Sequence, residues 1–519
     1  MRSLALVRVA YVLLATCLLA LSALAEVQRD PTVIHEVKHD VSLPLSVMAK
    51  NAPPPKPGMV EIREHESRKH VYSTSNAPDP VIQTEVLPQV GTTDLLDFDA
   101  INGTQGGAIP PDTNGSVGST QYVLITNFDY AVYDKTTGNA ILNPTRINVI
   151  WSGFGGQCEA DNGGDPIVLW DKIAQRWLVE QLEYSQAPDL VCVAVSTSAD
   201  ATGSYNRYSF SFSQGLPDYP KISVWPDAYY LSVNRGGSLG LACALDRLSM
   251  LAGNTASMIC FNSSPSDFSF LASDLDGSTL PPTGAPSHWL ELGKNNSSLK
   301  EFEFHVDFAN PKNSTFTGPN TITVPTFTLA CLGACIHQPS PGALLAGLGD
   351  RLMYRLAYRN FGDHEAMVVA QSVKPGNGST ADAATRWYEL RATPPGSVWT
   401  LYQAGTLQDK KISVWMASAA MDKMGNMALG ASAVSATRLK PSIGYTGRTA
   451  ADPLNKLESP KLVAKGTGVQ TTTGRWGDYS SMSIDPSDDC TFWYAQEYYK
   501  TNGENWITHL HSFKFNNCN

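Results

Sequence analysis

The chain has 519 residues and a formal net charge of −10, with only 17% charged residues. No basic cluster is present to neutralise a phosphate backbone, which argues against a nucleic-acid partner. Mild acidity of this kind favours solubility and implies no activity.

Residues 1–25 read as a secretory signal peptide. Arg2 and Arg8 make a positive start, Val9 to Leu21 an apolar core, and Ala23-Leu24-Ala25 a small-x-small cleavage site. The core is too short for a membrane span, and no later segment is long and apolar enough to be one. The expectation is a secreted protein, extracellular or periplasmic, with no membrane span.

Cysteine use fits export. Cys17 leaves with the signal, and eight cysteines remain: Cys158, Cys192, Cys243, Cys260, Cys331, Cys335, Cys490 and Cys518. An even number in an exported chain favours disulfides, although eight cysteines allow 105 pairings. Pairing sequence neighbours would give Cys158–Cys192, Cys243–Cys260, Cys331–Cys335 and Cys490–Cys518. No CxxC pair appears, so a zinc reading is weaker.

Residues 26–83 are polar and proline-dotted, with NAPPPKPG at 51–58, and read as a pro-region or flexible leader. From 84 to 519 the texture changes to short apolar-alternating runs separated by Gly, Pro, Asn and Asp. That is an all-β pattern. Leu245–Leu251 and Leu344–Leu348 are the best short helix candidates.

The runs repeat. Asp112 opens one in PPDTNGSVG, Asp165 another in GDPIVLWD, and Asp218 a third in DYPKISVWPD. Asp112 to Asp165 and Asp165 to Asp218 are both 53 residues. The Gly-Asp opening returns at Asp350 in GDRLMYRLAY and at Asp478 in GDYSSMSID. Repeats of about 40–50 residues with four strands each predict a β-propeller. Seven units are expected, at about 110–150, 165–214, 218–263, 285–328, 349–408, 412–448 and 475–516; a six-unit count stays open. The last unit has three evident strands, and Val86 to Ile101 is expected to supply a fourth and close the ring. Closure removes exposed sheet edges.

In a propeller the loops entering the first strands open on one face of the central channel. Asp112, Asp165, Asp218, Asp350 and Asp478 are therefore the candidate catalytic residues, as a ring of carboxylates. Paired carboxylates can act as acid and base, or acid and nucleophile, in glycoside cleavage. Crowding raises the proton affinity of one member, which makes it a proton donor. The same acids with backbone carbonyls could instead hold calcium. A lyase would need a His or Tyr base and a cation to neutralise a uronate. The plain alternative is architectural: aspartates before strands accept backbone N–H bonds and tie neighbouring units.

Around Asp478, Arg475 could pair with a carboxylate, and Trp476 and Tyr479 could stack on a sugar face. Their architectural alternative is packing between units. His364 and Glu365, in YRNFGDHEAMV, are further candidates for substrate binding, and His305 is the other histidine considered for catalysis. The strand reading places Asp363–Glu365 in a turn on the face opposite the Gly-Asp ring, where a surface role is favoured.

Together PPDTNGSVG, GDPIVLWD, DYPKISVWPDAYY, GDRLMYRLAYRNFGDHE and GRWGDYSSMSIDP resemble a widespread family of exported bacterial proteins of mostly unassigned function, over roughly residues 100–515. More remotely, the repeat grammar is similar to sialidase and arabinanase-like propellers and to propeller-fold polysaccharide lyases. The S-x-D-x-G-x-T-W box of sialidases is absent, as is a recognisable arginine triad, so sialic acid is disfavoured. The resemblance implies a fold, and a fold hosts many functions. Two classes of function follow. One is a secreted carbohydrate-active enzyme, a glycoside hydrolase or polysaccharide lyase, acting on a polysaccharide or glycoconjugate. The other is a non-catalytic propeller binding glycan, protein or cell surface, with or without structural calcium.

Overall fold

Alternating apolar runs bounded by turn residues bury one or both faces only when paired, and here they pair almost entirely with their sequence neighbours. A computed structural model describes residues 30–52, 58–62, 79–85, 87–213, 215–236, 239–265 and 267–519. The expected signal peptide lies outside the described residues. None of the described helices is long and apolar enough to cross a membrane.

Among the described residues the pairing groups the strands in antiparallel fours. The parallel pairing of Ser273–Asp276 with Leu356–Arg359 merges two of these units into an eight-stranded sheet, and Thr32–Val41 merges two others into a nine-stranded one. The innermost strands of the units are Asn114–Val117, Ile167–Asp171, Pro217–Val224, Leu271–Asp276, Leu352–Asn360, Ser413–Met421 and Ser481–Ile484. Each inner strand adjoins the next, and the seventh returns against the first. The protein is a β-propeller. Side chains stitch the inner strands together: Asn114 Oδ1 accepts the Val168 N–H at 2.8 Å, and Asp274 Oδ1 accepts that of Val224 at 2.9 Å.

The ring closes as expected, with a shifted boundary. Thr92–Asn102 pairs antiparallel with the last strand, Ile507–Phe515, and completes the seventh unit. The fourth unit begins at Leu271 rather than 285. Its inner strand LASDLD carries two aspartates and lacks the look of an apolar run, yet all six residues are buried. Asp274 and Asp276 tolerate burial because Arg355 pairs with both, and Lys172 also pairs with Asp276. The sixth unit extends to Gly466 through Lys461–Gly466.

Part of the leader region is integral to the sheet. Thr32–Val41 pairs with the outer strand of the second unit, Tyr205–Phe212, and with that of the third, Ser257–Asn262. It covers two edges at once, which compensates for its few apolar contacts. Asp40 anchors it, accepting from Arg207 Nε and Nη2 at 2.7 Å each. Leu45 and Met48 follow, buried in a short helical turn.

Of the two helix candidates, one is realised as Arg247–Ala252, capped by Asp246. Leu344–Leu348 instead contributes the short strand Leu345–Ala346. Disulfides join Cys158–Cys192, Cys243–Cys260, Cys331–Cys335 and Cys490–Cys518, the neighbour pairing.

Candidate catalytic mouth

The strand-opening aspartates Asp112, Asp165 and Asp478 come together. Asp112 and Asp165 enter their units in the left-handed backbone region, at φ 48° and 51°. Aspartate tolerates this better than most non-glycine residues. In the third unit the left-handed residue is Tyr219, at φ 53°. Asp218 therefore stands one position earlier and is not the structural equivalent of the other two.

The glycines have separate causes. Gly164 has φ 101°, open to few other residues. At Gly477 a Cβ would lie 2.8 Å from Glu497 Oε1 and 3.3 Å from the Asp112 backbone nitrogen, so close approach excludes a side chain.

Two of the acids are backbone acceptors across unit boundaries. Asp112 Oδ1 accepts the Asp478 N–H at 2.8 Å, and its Oδ2 accepts from Asn127 Nδ2 at 2.9 Å. Asp165 Oδ2 accepts the Tyr219 N–H at 3.1 Å, while the Asp165 N–H donates to Asn127 Oδ1 at 2.8 Å. Asn127 thus bridges the two aspartates. Asn234 does the same for Ser269 in the fourth unit, accepting its N–H at 2.9 Å.

Asp350 is held by its neighbour Arg351, whose Nε donates to Oδ1 at 2.8 Å. The Arg351 guanidinium lies 4.6 Å from the centre of the Tyr219 ring. Asp218 and Asp478 remain. Asp218 is only partly buried. Asp478 has Arg475 Nη2 at 3.6 Å, and its Oδ1 accepts no hydrogen bond among the described residues.

A buried lysine sits among these acids. Lys221 Nζ donates to the Pro220 carbonyl at 2.7 Å and lies 3.6 and 4.1 Å from the ring centres of Tyr219 and Tyr479. Burial pulls it down to about 8 against the opposing pull of Asp165 and Glu180. Burial, then the charges of Asp478 and Asp165, push Asp112 up to about 8. Burial and Asp218 raise Asp165 to about 7. Asp218 rises to about 6, through burial and Asp478, moderated by Arg351 and Lys221. Burial raises Glu180 and Glu497 well above the usual carboxylate range. Burial and crowding thus raise the proton affinity of these carboxyl groups, the direction a general acid needs.

Other predicted residues lie elsewhere or are already engaged. Trp476 is fully buried between Trp415 and Tyr499, at ring-centre distances of 5.4 and 5.9 Å, and offers no face to a sugar. Tyr479 is buried too, with Lys221 over its ring and its hydroxyl donating to the Pro166 carbonyl at 3.1 Å. Both serve packing, the architectural alternative. His364 is in the turn after the inner strand of the fifth unit, paired with Asp363 at 2.7 Å and stacked on Phe361. Glu365 is buried there, bonded to the Tyr358 hydroxyl and the Gly396 N–H. His305 ends the third strand of the fourth unit, on its exposed side.

Lys221, Arg351, Glu180, Glu497 and Asn127 were not singled out in the sequence. Their signal is a charged or amide residue inside a strand run, as in DYPKISVW and WLVEQLEY. Alternation makes such residues look solvent-facing until the neighbouring unit is in place.

The other end of the channel is different. An open depression of about 750 Å³ lies there, lined by Trp170, Lys172, Gln175, Lys423, Ser487 and Asp489 among others. It adjoins a pinch around Lys172, Asp274, Asp276 and Arg355 with room for about 20 Å³, enough for one water.

No protein-family model matches the chain, and no curated protein matches it. Among solved structures, the N-terminal domain of Nup159 is similar at TM-score 0.35 and 9% identity, over 84% of this chain and 98% of that one. The α-L-arabinofuranosidase Arb93A from Fusarium graminearum gives 0.35 and 9%, over 83% and 99%. The WD40 domain of SCAP from fission yeast gives 0.34 and 8%, over 76% and 82%.

Proposed function

We propose that the protein is a secreted hydrolase of neutral glycans, with the acid mouth as its catalytic centre. Asp218 is the general acid, and Asp478 is the carboxylate that attacks the anomeric carbon or activates water. The observation that carries this is the division of labour among the aspartates. Asp112, Asp165 and Asp350 accept hydrogen bonds from amide, backbone or arginine donors. Asp478 has the looser Arg475 contact at 3.6 Å, with no hydrogen bond to its Oδ1 among the described residues. Asp218, partly exposed, is pushed up to about 6 by burial and by Asp478 against the pull of Arg351. Two carboxyl groups in unlike environments are what glycoside cleavage needs.

A lyase reading is less well supported. Burial pushes the hydroxyls of Tyr219, Tyr354 and Tyr479 above the usual tyrosine range, which makes them poor bases. Carboxyl groups outnumber the cations Lys221, Arg351 and Arg475, which disfavours an anionic uronate. Calcium is also poorly served at the mouth. Asp112 and Asp165 already accept N–H donors, and the three cations compensate charge that an ion would otherwise balance.

Buried polar atoms without a hydrogen-bond partner among the described residues include Tyr219 Oη, Glu180 Oε1 and Asp478 Oδ1. Such atoms call for water or ligand hydroxyls, as a sugar provides. Four disulfides support an oxidising, extracellular or periplasmic setting. The test is hydrolysis of a panel of neutral polysaccharides and aryl glycosides by the protein and its Asp218→Asn and Asp478→Asn variants. Activity lost in both, with melting unchanged, supports the reading; activity retained in both refutes it.

A second reading, a non-catalytic glycan-binding propeller, draws on the depression at the opposite end. Its volume falls in the range of small-ligand sites. Glycan binding abolished by Lys423→Ala and untouched by Asp218→Asn would favour it.

A further inference from the structure

The seam that closes the ring carries a cluster unrelated to the mouth. Thr92–Asn102 brings Asp94, Asp97 and Asp99 against His509 and His511 of the last strand, with Asp97 opposite His511 and Asp99 opposite His509. His509 and His511 are two apart on a strand and share a face. Asp97 and Asp99 share one likewise. A register irregularity between Asp94 and Asp97 turns Asp94 onto the same side, as a bulge does.

The hydrogen bonds orient both imidazoles. His509 Nδ1 lies 3.0 Å from Asp99 Oδ1, and His511 Nε2 lies 3.3 Å from Asp94 Oδ1. A carboxylate accepts, so His511 Nε2 carries the proton and its Nδ1 keeps a lone pair on the side of Asp97. His509 lies between two carboxylates, Asp99 at Nδ1 and Asp97 at Nε2. His509 Nε2 touches Asp97 Oδ1, and His511 Nδ1 is 3.8 Å from it. The three ligand atoms lie within 4.8 Å of one another.

His511 supplies an independent observation. Its side chain is 3% exposed, and its Nδ1 has no hydrogen-bond partner among the described residues. A buried nitrogen lone pair aimed at a carboxylate is repelled by it unless a cation stands between them.

We propose that His509, His511 and Asp97 form a binding site for a divalent transition ion of the zinc class, clamping the closing strand to the last strand. Two imidazoles and one carboxylate suit such ions, whereas calcium and magnesium prefer all-oxygen sets. Asp94 and Asp99 are the outer carboxylates that fix ligand tautomers in metal sites. They are themselves held: Asp94 accepts from Tyr445 Oη at 2.9 Å and Asp99 from Tyr498 Oη at 2.7 Å. Asp97 is 54% exposed, which gives the ion an entry path and leaves coordination positions open to water.

The purified protein, stripped with chelator, is titrated with Zn²⁺ by calorimetry and with Co²⁺ by visible absorption, and its melting is followed with each ion. One equivalent should bind. At a hundredfold excess over Kd the midpoint should rise by about 2–3 °C. His511→Ala should abolish binding. Asp97→Asn, at an exposed position where folding is safe, should weaken it at least tenfold. Asp99→Asn should weaken it about 10–100-fold through orientation alone. A cluster that is only a ladder of ion pairs would bind no stoichiometric Zn²⁺, and its melting would ignore ion and chelator. That result, or equal affinity in Asp97→Asn and the parent, overturns the proposal.

Discussion

The Asp112 carboxylate accepts the backbone N–H of Asp478 at 2.8 Å, joining the first unit of the ring to the last across 366 residues of chain. The bond is buried, and Asp112 also receives Asn127 Nδ2. Asp112→Ala leaves two donors unanswered and should cost on the order of 2 kcal/mol. Denaturant unfolding would register this as a lower midpoint at unchanged slope.

Asp218 and Asp478 should behave in the opposite way. Replacing either by Asn is expected to lower kcat about 10³-fold, in the range of lost acid–base catalysis. The melting midpoint should stay within about 2 °C, because neither carboxylate ties two units together. Steady-state kinetics and calorimetry on the same preparations separate the two outcomes. A melting loss as large as that of Asp112→Ala would make Asp478 architectural.

Lys221 lowers the proton affinity of Asp165 and Asp218. Lys221→Met keeps much of the bulk between Tyr219 and Tyr479 but removes the charge. Both acids then hold their protons to higher pH. The alkaline limb of the pH–rate profile, where the general acid is lost, should move up by about half a unit to one unit. A profile that stays in place would separate Lys221 from the catalytic acids.

Stability should depend on pH through the same groups. Asp112, Asp165 and Asp218 start from 3.8 and rise to about 8, 7 and 6 in the fold. Between those limits the native state holds protons that the unfolded chain has released. Their contribution is therefore complete below about pH 4 and is lost as pH climbs towards 8, at up to about 1.4 kcal/mol per pH unit for each group. Asp218→Asn should flatten the part between pH 4 and 6. Melting curves across pH 4–8 are the measurement.

Removing residues 30–43 would uncover the outer strands of the second and third units and strand Arg207, whose partner is Asp40. Exposed edges pair with other chains. The truncated protein should melt lower and sediment as aggregates, whereas an architecturally idle leader would leave both properties unchanged.

The fold was legible because a propeller is built from local pairings. Runs such as GDPIVLWD and DYPKISVW announce inner strands by their turn residues, and the neighbour disulfides follow from the same locality. Two strands escaped notice for a shared reason. LASDLD is polar yet buried, because Arg355 and Lys172 answer its aspartates from other units. Thr32–Val41 looks like leader because its partners are the outer strands of units two and three, far along the chain. Likewise His509-x-His511 is visible as two histidines on one strand face, but Asp97 opposite them is more than 400 residues away.

Repetition within the chain was enough to establish an all-β ring, its closure by an N-terminal strand and a gathering of strand-opening aspartates on one face, since each rests on short-range periodicity. Which aspartate does what was decided only by the tertiary structure. Asp112, Asp165 and Asp218 recur at equal spacing, yet the one-residue offset at Tyr219 separates the third from the others. Lys221, Arg351 and Asn127 approach the mouth from different units. Burial and charge at a carboxylate depend on what other units bring beside it, and that information is carried by packing across the ring rather than by any local run of residues.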